Sequence, residues 1–262
     1  MCIISIAPLT TRFGNALASR TAAGAALAGT SAATAAVPRN VTALTISGNP
    51  PFDIRQGGKL TGFDIQMVNQ AARIAGVRDV TWKVVTFDTL LDQVENGAAM
   101  MGASSITITP QRAAQVTFGS PYLQANMGIV TRRGTTGIST KATLKGETIG
   151  VLEGSTAVPV AKSIQGARVL QYTTMPATYK ALLDAKVDAV INDYGQSRWY
   201  VKNNAKKFRY AGVIPVDQQY GLAFNDDQDA LRVAMNRALA TMKKNGSYQA
   251  LVKRWGLQSL VP

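Results

Sequence analysis

The chain has 262 residues, of which 46% are hydrophobic and 16% are charged, so it can form one large or two small domains with a buried core. It contains no histidine and one cysteine, Cys2. An intrachain disulfide is therefore impossible, and the usual ligands of zinc and haem sites are missing. Histidine-based acid–base catalysis and a Ser-His-Asp triad are also excluded. We expect no metal and no cofactor.

The net charge of +13 would attract anions, nucleic acids or an anionic membrane. Lysine and arginine are spread along the chain, however, and this distribution favours a generally basic surface. The densest basic run, Lys202 to Arg209, lacks the interleaved aromatic residues that a single-strand binder uses. We therefore expect no nucleic-acid partner.

Residues 1–36 differ in composition from the rest of the chain. They contain two arginines, no acidic residue and an Ala/Gly/Thr-rich tract, in which Ala33-Thr34-Ala35 fits a small-x-small cleavage pattern. We predict an export signal that is cleaved near Ala35 or Ala36. A disordered leader and a misassigned start codon are the alternatives. No later segment has about 18 consecutive apolar residues, so no transmembrane helix is expected in the mature chain.

Strand and helix signals alternate from Val41 onward. Strands are predicted at 41–47, 80–85, 98–103, 128–132, 147–152, 169–172, 188–192 and 220–224. Helices are predicted at 62–75, 88–95, from about 155, at 176–185, 195–202 and 227–244, and around 248–255. Repeated βα units predict an α/β fold with mostly parallel strands. Two similar blocks, 41–125 and 140–213, indicate two lobes, and the cleft between lobes is the default ligand site.

The segment Ser104–Arg112 carries the strongest functional signal. It is predicted to be extended, which places Ser105, Thr107 and Thr109 on one face. It then enters a helix that Thr109 caps and the following proline begins. Arg112 lies in the first turn, where a cation opposes the helix dipole. Hydroxyls, open N–H groups and a guanidinium together favour a bound anion, most simply a carboxylate.

Two further segments carry candidate ligand contacts. Gly154 permits a tight turn, after which Ser155 or Thr156 begins a helix. The N–H groups of this helix either face the cleft and bind an anion, or the hydroxyl residue serves only as a helix cap. Asp193 ends an apolar strand, where it either binds an ammonium group or caps the next helix. A carboxylate grip opposed by an acid describes a receptor for a zwitterion, and both together indicate an α-amino acid.

Two phenylalanines are candidates either for the core or for a wall of the pocket. Phe52 follows the rigid Pro50-Pro51 turn, and Phe87 begins the helix after the second predicted strand. Aromatic residues at such positions are more often core.

At these residues the chain resembles the periplasmic amino-acid-binding proteins of ABC transporters, the family 3 solute-binding proteins, over about residues 41–257. The resemblance rests on an ordered set of motifs: Pro50-Pro51-Phe52, Gly62-Phe63-Asp64, Ser105 to Arg112, Phe118 to Tyr122, Leu144-Lys145-Gly146, Gly150 to Thr156, Val187-Asp188-Ala189, Asp193 and Asn245 to Tyr248.

The resemblance implies a role for each candidate residue. Arg112 would hold the α-carboxylate of the ligand, and Ser105 and Thr107 would contact its backbone end. Asp193 would hold the α-ammonium group. Thr156, with Ser155 beside it, would contact the carboxylate from lobe two. Phe87 would form one wall of the side-chain pocket.

The family fold has two α/β lobes joined by two crossover strands, here expected near Ala125–Arg132 and Ile214–Leu222. Lobe one, with the C-terminal helices, would comprise residues 37–127 and 220–262, and lobe two residues 128–219. The implied protein is a monomer in the periplasm that delivers a small amino acid to an ABC permease.

The chain departs from the family pattern at three points, of which two bear on the ligand. Asn49 stands where many relatives place an aromatic lid, and no counterpart is found of the acid that binds basic side chains in some relatives. Ala98 replaces a common Asp, a change expected to be structural.

Two alternative functions remain open. One is a cleft enzyme similar to cyclohexadienyl dehydratase, for which Asp193 and Glu153 are the only obvious acids. The other is a sensor module of a signalling protein.

Overall fold

The computed structural model describes residues 36–261. The predicted export signal lies outside this part of the chain, apart from Ala36. No helix among the described residues is long and apolar enough to cross a membrane.

The described chain alternates strands with helices, in agreement with the predicted α/β class. The strands are β1 (Asn40–Thr45), β2 (Ile54–Gln56), β3 (Lys59–Thr61), β4 (Asp79–Val84), β5 (Met101–Gly102), β6 (Thr117–Phe118), β7 (Leu123–Arg132), β8 (Thr148–Leu152), β9 (Arg168–Tyr172), β10 (Ala189–Asp193), β11 (Phe208–Tyr220) and β12 (Ala223–Phe224). The α-helices are α1 (Phe63–Ile74), α2 (Phe87–Glu95), α3 (Pro110–Ala113), α4 (Ala157–Lys162), α5 (Met175–Leu183), α6 (Tyr194–Asn203), α7 (Asp229–Lys244) and α8 (Ser247–Trp255).

The first sheet has the strand order β4-β1-β5-β12-β6. Strand β1 runs parallel to β4 and β5, whereas β12 is antiparallel to its two neighbours. Helix α1 turns Phe63, Met67 and Ala71 inward because residues three or four positions apart share one helix face, and it packs against α7 and α8. The rings of Phe52, Phe63 and Tyr220 form part of an aromatic cluster in this core.

The second sheet has the order β11-β7-β10-β8-β9. Strands β10, β8 and β9 are parallel, so their carboxyl ends share one edge, and β7 is antiparallel to β10 and β11. Apolar residues on both faces of β7 and β10 are fully buried, with Ile129 and Ile191 in one cluster and Val130 and Val190 in another, as expected for strands covered by helices on each side.

The chain passes between the sheets twice. It leaves the first sheet after β6 and enters the second at β7, and it returns from β11 to β12. The strand pattern in the sequence predicted a strand only from Tyr220, the last residue of β11, whereas the family resemblance placed a crossover strand near Ile214–Leu222, which overlaps the second half of β11. The β11–β7 pairing includes register shifts, and the backbone N–H of Val216 donates to Asn126 Oδ1 at 3.2 Å.

Candidate ligand-binding site

Thr109 begins helix α3 as predicted. Its Oγ1 accepts a hydrogen bond from the backbone N–H of Arg112 at 3.2 Å, and Pro110 is the first helical residue. The predicted regular extension before it is wrong at Ser105, whose φ is +42°. This bend lets the Ser105 N–H donate to the buried Asp64 Oδ2 at 2.5 Å. Ser105 and Thr107 are both almost fully buried despite the bend.

Arg112 is buried between the two sheets. Its Nη1 donates to the carbonyl of Thr107 at 2.9 Å and its Nη2 donates to the carbonyl of Gly154 at 3.0 Å. Its guanidinium carbon lies 5.3 Å from the centroid of the Phe87 ring, within cation–π range. Burial lowers the pKa of Arg112, and the charge of Asp193 opposes that shift. Within residues 36–261, Arg112 forms no salt bridge.

The turn after β8 faces Arg112 from the second sheet. Gly154 adopts a φ of +71°, a conformation that favours glycine. Ser155 Oγ donates back to the carbonyl of Leu152 at 2.7 Å. Thr156 precedes α4 but makes no side-chain cap bond, and its Oγ1 lies 3.5 Å from Oγ1 of Thr107. The Thr156 hydroxyl therefore faces the cleft rather than the helix.

Asp193 lies at the end of β10 and directly before α6, but its carboxylate makes no capping hydrogen bond. Its Oδ2 accepts a long hydrogen bond from Gln196 Nε2 at 3.4 Å. Burial raises the pKa of Asp193 to about 7, against the opposing effects of the Tyr220 hydroxyl and the Arg112 charge. Asp193 forms no salt bridge with any described residue. The cleft thus holds one cation and one acid that are not paired with each other.

A buried polar network lies beneath Ser105. Asn49 Nδ2 lies within hydrogen-bond distance of Asp53 Oδ2, Ser104 Oγ and Ser105 Oγ, at 3.1, 3.2 and 3.2 Å. Burial, followed by the charge of Asp64, raises the pKa of Asp53 well above its ordinary value. Burial also raises the pKa of Asp64 to about 7. Asn49 is therefore part of a structural network as well as a surface of the cleft.

The structure brings eight of the nine predicted contact residues to one small cavity of about 10 Å³. They are Asn49, Phe87, Ser105, Thr107, Arg112, Ser155, Thr156 and Asp193. The ninth, Phe52, is a core residue with 0% exposure, and it packs edge-on to Tyr220 with ring centroids 5.6 Å apart. The rigid proline turn directs this ring into the first core rather than into the cleft.

Five further residues, which were not predicted as ligand contacts from the sequence, also line this inner cavity: Ile46, Ser104, Leu152, Asn192 and Gln196. Gln196 joins the two sides, because its Nε2 donates to Ser105 Oγ at 3.2 Å. Its position in the first turn of α6, three residues after Asp193, is the signal that could have identified it.

Two other cavities adjoin the inner one. An outer cavity of about 800 Å³ shares Phe87, Arg112, Ser155 and Thr156 with it. A small side cavity of about 50 Å³ shares Ile46, Phe87 and Leu152 with it, and no charged residue lines this side cavity. Arg112 thus lines both the inner and the outer cavity, whereas the side cavity is lined only by uncharged residues.

Two β-sheets that carry helices, with a polar and charged cleft between them, define a ligand-binding protein of the periplasmic-binding-protein fold. Residues 41–258 match the sequence profile of the bacterial extracellular solute-binding proteins, family 3, and the chain belongs to this family.

Named relatives and solved structures agree with this assignment. The chain is 27% identical over 210 residues to a probable histidine-binding protein of Campylobacter jejuni, covering 79% of this chain and 81% of that one. It is 28% identical over 232 residues to the lysine/arginine/ornithine-binding periplasmic protein of Escherichia coli, covering 84% and 89%. The structure of an ancestral arginine-binding protein bound to arginine matches with a TM-score of 0.77 and 31% identity, covering 83% of this chain and 98% of that one. These comparisons confirm the predicted fold.

Proposed function

We propose that the protein is a periplasmic receptor that binds a small amino acid by its α-carboxylate and α-ammonium groups and delivers it to an ABC permease. The observation that carries this proposal is the pair of opposite charges, the buried Arg112 and the partly buried Asp193, which line one cavity without forming a salt bridge. A zwitterion supplies each of them with a partner, and charge-assisted hydrogen bonds are the strong ones.

Each wall of the cleft contributes to the proposed grip. Arg112 has five N–H donors, of which two are held by the carbonyls of Thr107 and Gly154, so three remain for a carboxylate. Thr107 and Thr156 offer hydroxyls from the two sides. Asp193 accepts from the ammonium group. Because the inner cavity is only about 10 Å³, its walls must separate before a ligand enters.

We propose that this separation is a lobe movement. Residues 37–127 with 220–262 would form one lobe, and residues 128–219 the other. A ligand that contacts both walls only when they are together shifts the equilibrium towards closure, and the closed form would dock with the permease. We further propose that the mature protein is a monomer without catalytic activity, as befits relatives named as binding proteins.

The side cavity supports a ligand with an uncharged side chain. A side chain that extends from the inner cavity past Phe87 meets Ile46, Leu152 and Met175 together with threonine hydroxyls, and it meets no acid. A buried lysine or arginine side chain would be left without a counter-ion there, at a cost of several kcal/mol. The relatives that bind basic amino acids therefore differ from this chain in ligand class.

Calorimetry against the twenty amino acids tests the proposal. We expect at least one uncharged amino acid to bind and lysine and arginine to bind more weakly. Arg112→Ala should abolish binding of that ligand. If none of the twenty amino acids binds, or if Arg112→Ala binds the ligand with full affinity, this cleft is not an amino-acid site.

A further inference from the structure

A separate groove of about 540 Å³ lies where α6 packs against the C-terminal segment. Its polar and aromatic wall, called here the α6 groove, consists of Tyr194, Arg198, Trp199, Lys202, Tyr210 and Trp255. None of the residues that line it lines the inner cavity of the cleft. Its volume lies in the range of about 300–1,000 Å³ that is typical of small-molecule sites.

The charges of the α6 groove have one sign. Arg198 and Lys202 are four residues apart on α6, so they lie on the same face of the helix. No Asp or Glu is among the described residues that line the groove, and neither cation forms a salt bridge there. The Arg198 Nη1 donates to the Tyr194 hydroxyl at 2.7 Å, which holds the guanidinium at the groove wall.

The groove also contains a polar atom without a partner. The hydroxyl of Tyr210 is buried and has no hydrogen-bond partner among the described residues. The Tyr210 ring packs edge-on to Tyr194, with centroids 5.7 Å apart and planes at 90°. The Tyr210 ring thus forms part of the aromatic wall of the groove.

We propose that the α6 groove is a second binding site and that it takes a planar aromatic carboxylate. The aromatic walls suit a flat ring, since aromatic pairs stack or meet edge to face. Arg198 and Lys202 suit a carboxylate, for which a guanidinium is the matched donor. The site is spatially distinct from the amino-acid cleft, because neither Arg112 nor Asp193 lines it.

Calorimetry with indole-3-acetate as the probe tests this site. Two matched compounds separate the contributions: indole-3-acetamide keeps the ring but lacks the charge, and cyclohexylacetate keeps the charge but lacks the aromatic ring. We expect indole-3-acetate to bind and each matched compound to bind at least about tenfold more weakly. Absence of indole-3-acetate binding at millimolar concentration, or equal affinity for the amide, would overturn the proposal.

Variants then locate the bound probe. The exposed pair Arg198→Gln/Lys202→Gln should weaken indole-3-acetate binding at least about tenfold, whereas Arg237→Gln/Lys244→Gln on α7 removes the same charge elsewhere and should leave it unchanged. Arg112→Ala must retain the binding. If Arg112→Ala abolishes it, or the α6 pair leaves it intact, the probe lies elsewhere and the proposal fails.

Discussion

The affinity for the amino-acid ligand should fall as the pH drops below 7, because of Asp193. In the proposed grip the ammonium group binds the carboxylate form of this residue, and burial raises its pKa to about 7. The ligand must therefore displace a proton at lower pH. With this pKa, the ionised fraction of Asp193 falls about tenfold between pH 8 and pH 6, and about a hundredfold between pH 8 and pH 5. The dissociation constant should rise by the same factors.

Titration calorimetry at pH 8, 7, 6 and 5 measures this slope, and buffers of different ionisation enthalpy report the proton released. Asp193→Asn should bind more weakly at pH 8 and should lose most of the slope, whereas the exposed Asp227→Asn should keep both values. Asp64 lies beneath the cleft and also has a pKa of about 7, so it is the other group that could cause the pH dependence of binding. The slope that remains in Asp193→Asn measures its contribution. An equal slope in wild type and Asp193→Asn would refute the role of Asp193.

Three further changes have defined outcomes. Arg112→Lys keeps the charge but loses the planar donors, so calorimetry should show at least about tenfold weaker ligand binding, and unchanged affinity would argue against a guanidinium grip. Gly154→Ala places a Cβ 3.0 Å from the Cα of Asp88 across the cleft, whereas Gly97→Ala has a similar φ and no atom nearby. Only the first should lower ligand affinity, and equal effects would indicate backbone strain alone. The raised pKa of Asp53 means that the folded state binds its proton more tightly than the unfolded state, so this group stabilises the fold in acid and less as the pH rises. Asp53→Asn should therefore gain thermal stability relative to wild type as the pH rises from the ordinary pKa of an aspartate towards the raised pKa of Asp53 in the folded state, and a parallel pH profile for both proteins would contradict this.

Local signals in the sequence were sufficient for much of the fold. Thr109-Pro110 marked a helix start because a hydroxyl cap and a proline act within one turn. The stripe on α1 and the strand β8 were visible for the same reason: periodicity is a short-range property. The position of Asp193 at a strand end indicated that it faces the cleft, since parallel strands share one edge.

Features that depend on distant parts of the chain could not be predicted. The bend at Ser105 is fixed by a hydrogen bond to Asp64, which lies 41 positions earlier. The burial of Phe52 depends on Tyr220, and the contact between Gln196 and Ser105 spans 91 positions. No local pattern encodes such partners, because each residue taken alone is compatible with several environments.

Three direct hydrogen-bonding contacts join the walls of the cleft: Arg112 with Gly154, Thr107 with Thr156, and Gln196 with Ser105. All three lie within the protein and need no ligand. In the proposed lobe movement these contacts would favour the closed conformation before a ligand binds, and the apparent affinity of a ligand would scale with the closed population. Residues outside the proposed ligand contacts, such as Gly154, would thereby tune how much amino acid the protein retains at a given external concentration.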